Sequence, residues 1–259
     1  MAAVIVTSQE GRVLTAELSR PERLNALNSA VLQELREVVE GAASTAGIGC
    51  IVLRGAGDRA FCAGADLEEI RGLDVTAAQA FIRHGQRTMT AVAHSPVPVV
   101  AHVDGYALGG GFELVLASHL VVASDRSRLG LPEARIGCIP GFGGTQRLPQ
   151  AVGKAAALHL MLSGEPVDAD RAWQLGLLSV PPLPAEDAAR EVDRLAHLIA
   201  SGSRGGLANI LDAARAALDP AALDHEAALA ALSIASRDGQ EGISSFAERR
   251  PPVFTEENS

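Results

Sequence analysis

The sequence predicts an α/β protein built on buried sheets, and three observations carry that prediction. Short apolar runs rich in β-branched residues occupy residues 50–54, 97–103 and 120–123. Segments with apolar residues at helical spacing lie between them, and strand and helix signals alternate along the chain. Uninterrupted apolar strands are those buried on both faces, and such alternation is the pattern of a layered α/β fold. A chain of 259 residues buries roughly three quarters of its unfolded surface. With aromatics at only 3%, that core has to be built from Ala, Leu, Val and Ile.

In chain order, residues 3–7 and 12–18 meet at Gln9-Glu10-Gly11 and read as a hairpin. Residues 28–40 carry helical spacing with Asn28 or Ser29 as N-cap. The run at 50–54 reads as a buried strand closed by Gly55-Ala56-Gly57, and residues 75–94 as a helix containing Gly85. Residues 97–103 and 120–123 are strands. Val180-Pro-Pro-Leu-Pro184 permits neither regular helix nor central strand and marks a connection. Three Ala-rich helices are expected after it, at 186–200, 206–217 and 221–236, and a frayed end over 251–259. No fixed-period repeat is visible.

Charge and composition remove several classes of function. A net charge of −9 argues against nucleic acid or an anionic membrane as partner. No run approaches the ~18 apolar residues of a membrane helix. Charged residues from Glu10 to Arg20 break any leader-like stretch. Cys50, Cys62 and Cys138 are odd in number and form no CxxC pair, so a reducing, cytoplasmic setting is expected. His225-Glu226 lacks the second histidine of a zinc helix, and no metal site is expected.

Chemistry concentrates in three glycine-bearing segments. Residues 105–113 read Gly-Tyr-Ala-Leu-Gly-Gly-Gly-Phe-Glu and open a helix, so the Gly110 N–H is free to meet a developing oxyanion. Glu113 then lies in a first helical turn, where the dipole favours its ionised form and apolar neighbours oppose it. Residues 61–67 again lead through small residues into a helix, with Gly64-Ala65-Asp66 presenting a second N–H and Asp66 as cap. Residues 131–147 place Glu133 beside another glycine-rich turn. Two backbone donors and two carboxylates suit a reaction passing through an enolate.

Residues 19–28, 61–67, 105–113 and 132–147, in this order and spacing, resemble the motifs of the crotonase superfamily and, more narrowly, its enoyl-CoA hydratases. The tail at 242–254 fits that family as well. The resemblance implies a spiral of ββα units with two packed sheets over residues 1–195. It implies a C-terminal helical region over 196–259 that builds homotrimers or dimers of trimers and caps the active site. It implies an acyl-CoA or acyl-carrier thioester whose carbonyl lies between the N–H groups of Ala65 and Gly110. Glu113 and Glu133 would hold and activate a water, Gly141 would help position it by its backbone, and Glu133 would deliver the proton to the α-carbon. Arg23, Ala26, Ala63, Gly64, Asp66, Leu67, Gly109 and Pro132 would border the substrate. Arg23, Arg59 and Arg249 are read either as cations for CoA phosphates or as plain surface charge, and Arg83, His84 and Arg87 lie on the helix that borders the acyl pocket, as a solvated face or with one of them reading a polar acyl group. No metal or redox cofactor is implied.

Val97, His102 and Asp104 depart from the commoner family residues. Alternatives within the superfamily are an isomerase shuttling a proton through Glu133 and a dehydratase of branched, carrier-bound thioesters in polyketide assembly. A binder that kept the fold without turnover is the alternative outside enzymes.

Overall fold

A strand–strand–helix unit repeats along the first part of the chain in the computed structural model, which describes residues 4–215 and 220–254. The first unit is the hairpin β1 (Ile5–Glu10) and β2 (Val13–Leu18) followed by α1 (Ser29–Ser44). The second is β3 (Cys50–Gly55), β4 (Ala60–Cys62), the short α2 (Leu67–Ile70) and α3 (Val75–Ala93). The third is β5 (Val99–Val103), β6 (Tyr106–Leu108) and α4 (Gly110–Ala117). The fourth is β7 (Leu120–Ala123), β8 (Arg128–Gly130), a 3-10 turn at Glu133–Ile136, and α5 (Gly144–Val152). The first strands of successive units, together with β2, form one sheet ordered β1-β2-β3-β5-β7, and the second strands of the later three units lie in another. That second sheet runs β4-β6-β8 and is closed by β9 (Val167–Asp168). The two-sheet spiral implied by the resemblance is the fold observed.

Pairing from β2 to β3, β5 and β7 is parallel, which is why these strands read as unbroken apolar runs. One face of the larger sheet packs against α1 and α3 around Leu32, Leu35, Met89 and Val92. The other face takes Ala188, Val192, Ala196 and Ala200 of α8 (Ala185–Ala200) onto Val13, Val52, Val100 and Val122. Between the fourth unit and α8 stand α6 (Lys154–Ser163) and α7 (Ala169–Gln174). The division expected at residue 195 falls inside α8. The proline-rich connection at 180–184 does form an irregular segment, pinned where Leu183 bridges Ser124.

Three further helices follow, α9 (Arg204–Ala213), α10 (Pro220–Ala235) and α11 (Arg237–Glu248). Within the expected helix at 206–217, residues 216 and 217 lie outside the described residues, as do 255–259 of the expected frayed end and Ala3 of the first strand. Asn28 caps α1 as expected, its side chain accepting from the Val31 N–H at 2.9 Å. No helix among the described residues is long and apolar enough to cross a membrane.

Candidate active site

The turns that follow β4, β6 and β8 open on one cavity of about 580 Å³. Ala63, Gly64 and Ala65 come from the turn after β4, and Gly109 and Gly110 from the turn after β6. Pro132 and Glu133 come from the turn after β8, Gly141 and Phe142 from the loop before α5. Leu67, Ile70, Ala78, Phe81 and Ile82 of α2 and α3 give an apolar wall. Glu113 reaches the same space from α4. Parallel β4, β6 and β8 have their carboxyl ends side by side, so three segments distant in sequence meet there.

Loop 19–28 braces the Ala65 turn. Asn25 is buried with φ +58. Its side chain accepts from the Arg20 N–H at 3.0 Å and donates to Ala56 O at 2.9 Å and Ala60 O at 2.8 Å. Ala63 N–H donates to Leu24 O, Leu27 N–H to Gly64 O and Asp66 N–H to Leu27 O. These bonds skip the Ala65 N–H, which donates to no other group among the described residues. Gly110 is the first residue of α4, so its N–H has no partner inside the helix. The two turns adjoin: a Cβ on Gly64 would stand 3.6 Å from the Gly110 nitrogen. Gly109 has φ +50 and ψ −126, and a Cβ there would lie 2.9 Å from Glu133 Oε1.

Glu113 is 2% exposed. Its Oε1 accepts from the Phe142 and Gly144 N–H groups, each at 2.7 Å. Burial pushes its carboxyl up to about 7, assisted by the Glu133 charge and opposed by those two N–H groups and by Arg147. Where the sequence left dipole and burial balanced, burial wins. Burial also raises Glu133, whose Oε2 is enclosed without a hydrogen-bond partner among the described residues. The Gly141 carbonyl accepts from Gln86 Nε2 at 3.0 Å, and Ile82 packs where a Gly141 Cβ would project.

The expected substrate-bordering residues divide. Ala63, Gly64, Leu67, Gly109 and Pro132 line the cavity. Arg23, Ala26 and Asp66 stand outside its lining. Asp66 is engaged by Arg20 at 2.9 Å and caps α2 through the Glu68 N–H at 3.1 Å. Burial raises its carboxyl, and these partners more than reverse that, holding it below its ordinary value. Arg23 pairs with Glu68 at 2.8 Å on the surface.

The helix carrying Arg83, His84 and Arg87 does border the cavity, and Arg83 and Arg87 are exposed, as a solvated face requires, while His84 is half-buried. Helix α3 turns Ala78, Phe81 and Ile82 to the cavity, leaving Arg83 and Arg87 to line a separate cleft of about 610 Å³ with Arg36 and His94. That cleft holds no pair of carboxylates. Cys62 is fully buried against the Gly64 turn, and its thiol is pushed up to about 12 by burial, a packing residue. All three cysteines are free, and Cys138 is exposed at the cavity's edge. His225 pairs with Asp212 at 2.7 Å. No group of three His, Cys, Asp or Glu among the described residues is arranged to hold a metal. Sequence reasoning missed the Phe142 and Gly144 donors, Gln86 and Arg147. The Gly-Gly-Thr run at 143–145 was the available signal for the first two.

Fold and site together define a crotonase-type enzyme, a lyase of the enoyl-CoA hydratase kind. More narrowly, the chain belongs to the enoyl-CoA hydratase/isomerase family, whose model matches residues 8–257. It is 38% identical over 234 residues to a probable enoyl-CoA hydratase of Bacillus subtilis, covering 89% of this chain and 90% of that one. It is also 38% identical over 253 residues to 2,3-dehydroadipyl-CoA hydratase of Escherichia coli, covering 96% and 98%. The crystal structure of enoyl-CoA hydratase from Bacillus anthracis superposes with a TM-score of 0.94 at 32% identity, covering 98% of this chain and all of that one.

Proposed function

We propose that the protein adds water across the α,β double bond of an enoyl-CoA, or removes it in the reverse direction. The observation that carries this reading is the pair Glu113 and Glu133, both in one cavity and both pushed upward from the ordinary carboxylate value by burial. A proton has to leave water and another has to reach the α-carbon, and carboxylates tuned toward neutrality serve both steps.

In this reading the thioester carbonyl sits between the Ala65 and Gly110 N–H groups. Glu113, held by two backbone donors, takes a proton from water as the oxygen bonds to the β-carbon. The double-bond electrons move toward the carbonyl oxygen, where the two N–H groups stabilise the enolate by on the order of 3 kcal/mol each. Glu133 protonates the α-carbon and the carbonyl re-forms. Solvent then removes the proton from Glu113 and restores that of Glu133. The Gly141 N–H faces the water, its carbonyl being held by Gln86. The chemistry needs no metal or redox cofactor.

An isomerase needs one acid, so two in the cavity favour the hydratase. Arg23 is assigned to the CoA phosphates, Ala26 and Asp66 to shaping the loop that borders the nucleotide. The same reading places the enzyme in the cytoplasm as a homotrimer or a dimer of trimers. The test is hydration of crotonyl-CoA, followed as loss of the conjugated thioester absorbance, with 2,3-dehydroadipyl-CoA and a carrier-bound enoyl thioester alongside. Glu113→Gln and Glu133→Gln are each expected to lower the rate at least ~100-fold with product-CoA affinity within a few-fold. A folded wild-type protein that binds CoA and turns over none of the three is a binder instead, and the reading falls.

A further inference from the structure

Arg147 lies in the first turns of α5 and reaches back over its own loop. Its Nη1 donates to the Phe142 carbonyl at 3.1 Å. The loop it spans supplies the Phe142 and Gly144 N–H groups to Glu113. Packing is tight enough that a Cβ on Gly143 would come 2.2 Å from Nη1, and Gly143 has φ +114, a conformation that glycine accepts without strain. The Arg147 side chain is half-buried, so solvent screens its charge only in part.

We infer that Arg147 is a positioning residue for the proposed hydration. Its guanidinium locks the 142–144 loop so that both N–H groups stay aimed at Glu113, and it supplies the positive charge that faces this carboxylate. The inference rests on the reading of Glu113 as the base. Clamp and charge act in the same sense. Losing the clamp loosens two hydrogen bonds to the ionised oxygen, and losing the charge removes a direct attraction, so both shift Glu113 toward its protonated form.

The groups on the elements packed around α4 leave this role open to Arg147. From the Glu133–Ile136 turn comes Glu133, which acts in the opposite sense. From α3 come Phe81 and Gly85, packed on the Phe142 ring and uncharged. From β4 comes Cys62, a thiol that stays neutral. Burial holds Arg147 below the ordinary guanidinium value, and the Glu113 charge opposes that in part.

Three substitutions separate the two contributions. Arg147→Lys keeps the charge, Arg147→Gln keeps a donor, and Arg147→Met removes both. The readout is the Glu113 carboxyl titration, followed by carbon-13 NMR on glutamate-labelled protein and assigned by its loss in Glu113→Gln. The acid limb of the crotonyl-CoA pH–rate profile is recorded beside it. Arg147→Met is expected to move both titration and limb upward by ~0.5–1 pH unit. Arg147→Gln should fall between it and wild type, and Arg147→Lys should titrate close to wild type. If Arg147→Met does not fold, Arg147→Gln carries the test. An unmoved Glu113 titration overturns the inference, even when the melting temperature or kcat falls. A titration that moves in an enzyme hydrating no substrate upholds the positioning role and removes the hydratase reading.

Discussion

Burial and hydrogen bonding pull Glu113 in opposite directions, and the outcome can be measured without any substrate. Its carboxyl is ordinary near 4.5 in the unfolded chain and about 7 in the folded one. The folded state therefore binds more protons between those values, and stability falls as pH rises through that window. The penalty is complete above about pH 7 and absent well below 4.5. Glutamine keeps an oxygen to accept from Phe142 and Gly144 and carries no charge, so it escapes the penalty. Urea unfolding at about pH 4 and about pH 8 should show Glu113→Gln gaining on the order of 3 kcal/mol over wild type between the two. A difference independent of pH would mean that Glu113 is not raised. The substitution that disables the proposed chemistry is thus expected to stabilise the fold, the usual cost of holding a base out of water.

Glycines at the turns let the second-strand ends crowd together, and Gly109 shows what depends on that. An alanine there meets both a left-handed backbone and the Glu133 carboxylate. Gly153 also has positive φ, +79, but nothing stands within 4 Å of its added Cβ. Each alanine should cost ~1–3 kcal/mol of stability through strain. Only Gly109→Ala should also lower hydration, by at least ~100-fold, because it displaces an acid rather than merely bending a loop. Equal activities in two folded variants would detach Gly109 from the site. The sequence announced Glu113, Glu133 and their glycines because side-chain identity carries that signal. It concealed β4, β6 and β8, which at three residues each are too short for a period to show. Helix α5 begins at glycine and contains Pro149, so it read as turn. The donors to Glu113 are backbone groups about thirty residues away, invisible to any pattern of side chains. The ββα repeat was hidden by unequal insertions: from Cys50 to Val99 is more than twice as far as from Val99 to Leu120.

At the scale of the whole molecule, α9–α11 form a layer that contacts itself more than the spiral. Arg204 anchors it by donating to the carbonyls of Ala42, Ala43 and Thr45 at the end of α1. Along it Ile210 is 64% exposed, Leu232 65% and Ile234 58%. Apolar residues this open, spread over consecutive helices, would suit a surface covered by a partner chain. The trimer implied by the family resemblance would supply such a chain, with α9–α11 as the expected contact. Mass photometry should then find multiples of three of the 26.8 kDa chain. Ile210→Asp combined with Leu232→Asp should dissociate the assembly, while leaving the helical content of each chain near wild type, since both side chains face solvent in the single chain. Assembly strength follows mass action, so the variant should also lose the concentration dependence of its melting temperature. A wild-type protein that stays monomeric at micromolar concentration defeats the trimer outright. A trimer indifferent to both aspartates keeps the stoichiometry and moves the interface off these helices.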